Sequence, residues 1–259
     1  MPGVMEPSTD ARTNGSAVDY YPLQQAHSTR KMFAQHMNAY AFAVRHLQGN
    51  ISSHTRVLDA GCGQGYGTAF LADHGVHAVG ADLLLDQLAA ARARFHRPAL
   101  SYAKMNLLQM GLAGGTFDLA CSFQVIEHIP VELQPVYLRE IARVLTEGGV
   151  FCVSTLNRAV NMKSPATYQP NPDHTHEFIW PELLELLRRV FRVVQPFSLL
   201  PTARQRAMQA LKRSGVLRPL PTRWNPVDQY YNRVGVKDFV VQPGAHPRTI
   251  DLICLCRVR

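Results

Sequence analysis

Apolar residues recur along this chain with two alternating periods. From Gln24 to Gln48, Phe33, Met37, Tyr40, Val44 and Leu47 follow one another at steps of four and three, which predicts a helix with one buried stripe, ended by Gly49-Asn50. Short strand-like runs then begin at Val57-Leu58 and at His77-Ala78-Val79, with a shorter one over Ala99–Ala103 and another over Phe117–Phe123. Tyr137, Leu138, Ile141 and Leu145 mark a helix that Thr146-Glu147-Gly148-Gly149 stops, before a fifth strand over Val150–Ser154. Asn157 to Asp173 is rich in Pro, Asn and Ser and reads as a long loop; Pro181 and the leucines after it start another helix. A short basic helix over Pro201–Arg213 and a strong strand over Thr249–Cys256 complete the pattern. Alternation of strands with helices predicts an α/β fold.

One junction carries more chemistry than the rest. Val57-Leu58-Asp59 leads into Gly61, Cys62, Gly63, Gly65 and Gly67, and then into the helical Thr68–Ala72. Glycines where a strand becomes a helix let the backbone approach a ligand that any Cβ would push away. The dinucleotide pattern G-x-G-x-x-G fails here, because its third glycine would fall on Tyr66 or Thr68. What remains is D-x-G-x-G-x-G. His77–Asp82 then reads as a second strand ending in a carboxylate beside the glycine turn, where Asp82 could also cap the segment after it. Further along come Lys104-Met105-Asn106-Leu107 and the run from Phe117-Asp118 through Phe123 to Val125-Ile126-Glu127-His128.

These four segments, in this order over residues 57–155, resemble the class I S-adenosylmethionine-dependent methyltransferases. The leader His36–Ala43 and the His174-x-x-Glu177-Phe178 run resemble those of bacterial glycan and cell-envelope clusters, alongside the quinone-biosynthesis methyltransferases. The resemblance implies a Rossmann-like seven-stranded sheet, mostly parallel with the last strand antiparallel, and helices on both faces. It implies S-adenosyl-L-methionine as cofactor, held by Asp59, Gly61, Cys62, Gly63, Gly65, Asp82, Leu83, Asn106, Leu107 and Phe123. Asp82 would take the ribose hydroxyls. Asn106 stands where the family usually has an acid facing adenine, and its amide oxygen can still accept from the adenine amine. The leader helix would act as a lid, making Tyr20, Tyr21, His36 and Tyr40 acceptor-side candidates together with His176. For Tyr40, which lies on the apolar stripe, core packing is the competing role.

A hydroxyl acceptor needs a base, and imidazole, with an ordinary pKa near 6.5, suits that task at neutral pH. His128 is the first candidate and His174 the second, with Glu177 as its partner; ordering of the turn is the competing role for His128. No metal is expected, since two histidines and a glutamate on one loop make a partial ligand set with no common zinc spacing.

Composition adds charge and compartment. The chain has 259 residues and a formal net charge of +8. From Arg188 to Arg223 there are nine lysines and arginines and no acid, which points to an anionic acceptor, an anionic membrane surface or a solvated face. DNA is not expected: the segment lacks interleaved aromatics, and no motif of base-methylating enzymes follows the fourth strand. Five cysteines, mostly in predicted strands, and no membrane-length apolar run fit a cytoplasmic protein. The expected organisation is a disordered stretch over 1–19 and one domain over 20–259, with the lid helix at 24–48 and a basic insertion at about 200–235. The function expected is methylation of oxygen on a sugar, glycan or lipid-linked metabolite. An RNA or protein methyltransferase, and a cofactor-binding subunit without turnover, remain the alternatives.

Overall fold

The computed structural model describes residues 30–47, 51–52, 54–162, 168–169 and 171–258. The stretch over 1–19, Tyr20, Tyr21, the start of the leader helix and its stop at Gly49-Asn50 lie outside the described residues.

Helix α1 (Arg30–Leu47) precedes the alternating core. The core runs β1 (Arg56–Ala60), α2 (Tyr66–Ala72), β2 (His77–Asp82), α3 (Leu85–Arg94), β3 (Leu100–Lys104), β4 (Phe117–Phe123), α4 (Gln134–Val144) and β5 (Leu145–Leu156). A single helical turn, α5 (Arg158–Asn161), interrupts the expected loop because Asn157 caps it, its side chain accepting from the Ala159 amide. Then follow α6 (Trp180–Arg188), β6 (Val193–Pro201), α7 (Ala203–Ser214), α8 (Pro226–Tyr231), β7 (Phe239–Pro243) and β8 (Asp251–Arg257).

All strands join one sheet in the order β3-β2-β1-β4-β5-β8-β6-β7. Strands β1 to β5 pair in parallel, and β8 runs antiparallel to both β5 and β6, as expected for the last strand. The strand count corrects the expectation: there are eight strands, because β7 adds to the edge of β6 in antiparallel register from Phe197↔Pro243 to Pro201↔Phe239. Its five residues include only one fully buried side chain and end in proline, features of an edge strand that make its apolar pattern weak.

Alternate residues of each strand feed two cores. Val57, Leu119, Cys121, Val150, Cys152, Ile253 and Leu255 face α1 and α2, whereas Leu58, Ala120, Phe151, Val153, Leu252 and Cys254 face α4 and α6. Strand order reverses between β1 and β4. The carboxyl ends of those two strands therefore flank a crevice, the place where open α/β sheets take ligands.

Helix α1 closes over that crevice. A Cβ on Gly67 would lie 1.9 Å from the Tyr40 Cζ, so only glycine lets the helix seat this close. Alanine ordinarily improves a helix by about 1 kcal/mol over glycine. Here Gly67→Ala is expected to destabilise the protein by about 1–3 kcal/mol through overpacking, with Tyr40→Ala in the same chain relieving the clash. Urea unfolding of the single and double variants checks this; a single variant as stable as the parent would show that α1 gives way freely.

Candidate active site

The turn after β1 is held from below by the second strand. Gly61 and Cys62 both donate to the Ala81 carbonyl, at 2.8 and 3.0 Å. Gly63 donates its amide to Asp82 Oδ2 at 2.8 Å, and the Leu84 amide donates to Asp82 Oδ1 at 2.9 Å. Asp82 therefore does cap the segment after it, while gripping the glycine turn with its other oxygen. Gly63 has φ +50°, and nothing lies within 4 Å of where its Cβ would be. This is an open cradle of backbone beside a half-buried carboxylate, and it suits a ribose-bearing ligand. Leu83 is 58% exposed next to Asp82, an apolar face that the described residues leave largely open. After β3, the neighbour of β2, Asn106 is exposed and Leu107 half-buried, and Asn106 Oδ1 already accepts the Leu108 amide at 3.0 Å. One lone pair on that oxygen and the whole amide nitrogen remain for a base edge.

Behind the turn lies a buried network. Asp59 accepts from Thr68 Oγ1 at 2.6 Å and from the Tyr40 hydroxyl at 3.1 Å. Burial pushes the Asp59 carboxyl up to about 6, against the pull of these two hydrogen bonds. Tyr40 packs edge-on against Phe123 with ring centroids 4.7 Å apart, and both are buried. His36 Nδ1 meets the Tyr66 hydroxyl at 3.0 Å, and burial lowers the imidazole to about 4. Cys62 is buried, and burial raises its thiol further from ionisation, so it packs and does not attack. His36 and Tyr40 are thus joined to the glycine turn through Tyr66 and Asp59.

The other candidates converge where β4 ends. Gln124, the one non-glycine residue with positive φ among the described residues, turns the chain at φ 57° into a short turn over Ile126–His128. The Glu127 carbonyl then accepts from the Thr175 and His176 amides and from Thr175 Oγ1, bolting a distant loop onto this turn. As a result the His128 and His174 rings lie edge to face with centroids 4.8 Å apart. His128 Nδ1 bonds the Asp173 carbonyl at 2.9 Å, and His174 Nδ1 bonds Glu177 Oε1 at 2.8 Å. Both acceptors require the proton on Nδ1, which leaves a lone pair on each Nε2. The His174 pKa is lowered by burial and then by the neighbouring His128, with Asp173 opposing. His176 turns away: its Nε2 meets Glu182 Oε2 at 3.2 Å, at the start of α6.

Glu127 is fully buried, and neither of its carboxylate oxygens lies within hydrogen-bonding geometry of a partner among the described residues. Burial pushes it up to about 8, against the pull of its own backbone amide and the Thr155 hydroxyl, with Asp251 and Glu177 adding to the rise. Burial likewise raises Asp251 to about 7, opposed by Lys31 on α1. Lys31 itself is lowered by burial and by Lys212 and Arg213 on α7. Acids at the sheet's edge and bases from α1 and α7 therefore face the same region. The sequence patterns single out neither Lys31 nor Asp251, although an acid opening an otherwise apolar strand at Asp251 was a signal available in the chain.

Residues 58–153 match a family model described as a methyltransferase domain. A probable S-adenosylmethionine-dependent methyltransferase of Mycolicibacterium smegmatis is 41% identical over 132 residues, covering 51% of this chain and 49% of that protein. Residues 58–153 are thus similar to the methyltransferase domain of S-adenosylmethionine-dependent enzymes. The chain spans about half the length of the first curated relatives it matches. A ubiquinone biosynthesis O-methyltransferase of Rhizobium rhizogenes is 29% identical over 180 residues, 66% of each chain. Among solved structures, a methyltransferase of Thermotoga maritima described as a possible histamine N-methyltransferase superposes with a TM-score of 0.59 at 16% identity, covering 88% of this chain and 92% of that one. Phosphoethanolamine N-methyltransferase 2 of Haemonchus contortus, solved with S-adenosyl-L-methionine, gives 0.57 at 15%, covering 86% and 53%. At such identities the likeness establishes the fold alone. The cradle at Gly63 and the Asp82 carboxylate are the features of the methyltransferase domain that suit the ribose of this cofactor.

Proposed function

We propose that this chain transfers the methyl group of S-adenosylmethionine to an oxygen of a small-molecule acceptor, a sugar, glycan or lipid-linked metabolite. The observation that carries this reading is the pairing of His128 with His174 at the end of β4, beside the cofactor crevice. Asp82 accepts from the ribose hydroxyls, Gly61, Cys62, Gly63 and Gly65 pass beneath the cofactor's tail, and Asp59 holds that turn in place. Leu83, Asn106 and Leu107 frame the adenine, and Phe123 with Tyr40 closes the pocket floor. When bound, the sulfonium supplies an already activated methyl group. The protein's task is then alignment and exclusion of water, and alignment of two bound reactants is worth roughly 7–11 kcal/mol.

An oxygen acceptor must also lose its proton. His128 and His174 offer Nε2 lone pairs at the sheet edge, and Glu177 orients His174 through Nδ1. The similarity to rhizobial ubiquinone biosynthesis O-methyltransferases supports an oxygen acceptor. His36 and Lys31 from α1 bound the acceptor side. All five cysteines are free and buried, which suits a cytoplasmic setting, and among the described residues no helix is long and apolar enough to cross a membrane. Incubation with isotopically labelled cofactor and hydroxyl, amine and peptide acceptors, read by mass spectrometry, tests the reading. Label appearing on nitrogen or on protein, with none on oxygen, would overturn it.

A specific observation favours an anionic surface as a second partner. Arg204 lies 5.1 Å from the Tyr230 ring and Lys212 4.3 Å from Tyr231. The structure thus supplies the aromatics that the basic segment lacks in sequence, but cations cover both rings, so neither is free to stack a base. Beside them Val216, Leu220 and Trp224 are 72%, 40% and 64% exposed. Apolar side chains ringed by arginines suit the headgroup region of a bilayer or a lipid-linked acceptor. Replacing Arg204, Arg206, Lys212 and Arg213 with Gln is expected to weaken sedimentation with phosphatidylglycerol vesicles, with a flatter salt dependence. Cofactor affinity should stay as it was; equal vesicle binding would mark these residues as a solvated face.

A further inference from the structure

We propose that Glu127, His128 and His174 hold a divalent metal cation at the acceptor end of the crevice. Each residue offers one donor atom, and the three donor atoms lie within 4.8 Å of one another. Residues 174–177 supply only part of a ligand set by themselves. Folding completes the set by bringing Glu127 and His128 to His174.

Three independent features fit a cation. First, both imidazoles carry the arrangement that metal-binding histidines use. Nδ1 is tied to an oxygen acceptor, the Asp173 carbonyl for His128 and the Glu177 carboxylate for His174, which fixes Nε2 as the free donor. Second, both oxygens of Glu127 are buried and neither makes a hydrogen bond of good geometry among the described residues, a state that is costly for a carboxylate. A proton would relieve the carboxylate alone, leaving Nε2 of the exposed His128 to solvent and Nε2 of His174 to Asn171. A dication satisfies all three. Third, two imidazoles and one carboxylate form the set that holds catalytic zinc with a position left open. The competing contact is Asn171 Nδ2, 3.3 Å from His174 Nε2, a long hydrogen bond that an ion would displace. Tetrahedral ligation needs donors roughly 3–3.5 Å apart, so the side chains close by about an ångström on binding.

The donor set favours zinc, cobalt or manganese over magnesium or calcium, which prefer an all-oxygen shell. This inference rests on the oxygen-acceptor reading above for its purpose: a cation with a position left open would favour the deprotonated hydroxyl, and His128 would then serve proton removal through the ion it holds. Its binding can be tested without any acceptor. Chelator-treated, dialysed full-length protein is titrated with Co²⁺, followed by visible absorbance and by calorimetry. One equivalent is expected to bind with the intense bands of a four-coordinate site. Glu127→Gln, which keeps shape and removes charge, and His174→Asn should each weaken Co²⁺ at least about tenfold. Cofactor affinity unchanged in both variants certifies their fold. Absence of a stoichiometric Co²⁺ site, or variants that bind Co²⁺ as tightly as the parent, would overturn the proposal. Metal-stripped protein that methylates a hydroxyl at full rate would also overturn it, leaving oxygen methylation intact. A Co²⁺ site in a protein that methylates only nitrogen would keep the site and refute the oxygen reading.

Discussion

Methyl transfer by His128→Ala is expected to fall about 10²- to 10⁴-fold, the usual contribution of a positioned proton-handling group. The residue is exposed at the end of the β4 turn, and its ring is fixed by a single bond from Nδ1 to Asp173. Its loss should therefore leave the fold and the cofactor cradle untouched. His128→Asn separates chemistry from architecture, because an asparagine amide can donate to the Asp173 carbonyl but can neither take a proton nor supply an imidazole lone pair. Single-turnover rates with bound cofactor are the measurement. Near-normal transfer by the asparagine variant would reduce His128 to a turn-ordering residue and move attention to His174.

Asp82→Ala should weaken S-adenosylmethionine about 10- to 150-fold, since hydrogen bonds to a charged group are worth about 1.5–3 kcal/mol. Part of this effect is indirect. The carboxylate holds the Gly63 and Leu84 amides at 2.8 and 2.9 Å, so the alanine variant also loosens the turn on which the cofactor rests. Asp82→Asn keeps one acceptor oxygen in place and is expected to fall between parent and alanine. Calorimetric titration orders the three. Equal affinity in a folded Asp82→Ala protein would remove this residue from the ribose site.

What the chain displays locally is readable without coordinates. The glycine run, Asp82 closing β2 and the Glu127-His128 pair occupy consecutive positions whose backbone and charge requirements are local. The near-continuous apolar runs of β1, β4 and β8 report burial on both faces in the same way. Tertiary contacts are another matter. Nothing in the run from His174 to Glu177 shows that Thr175 will bond the Glu127 carbonyl, yet that contact decides that the two histidines meet. Tyr40 lies on the helix stripe, so its apolar spacing is legible but the bond from its hydroxyl to Asp59 is not. Strand β7 is short, lies at an edge and ends in proline, and its pairing depends on β6 being present first.

Strand β8 lies between β5 and β6, antiparallel to each. This order has a consequence during synthesis. Strands β6 and β7 leave the ribosome before the strand that connects them to β5. Until residues 251–257 emerge, β5 and β6 each present an unpaired backbone edge, and the nascent chain holds two separate sheets. Unpaired edges recruit other strands, which makes this interval the one most open to aggregation and to chaperone capture. Closure then joins both sheets in one step through pairings about a hundred residues apart for β5 and about sixty for β6, so completion of the sheet is slow relative to its parallel half.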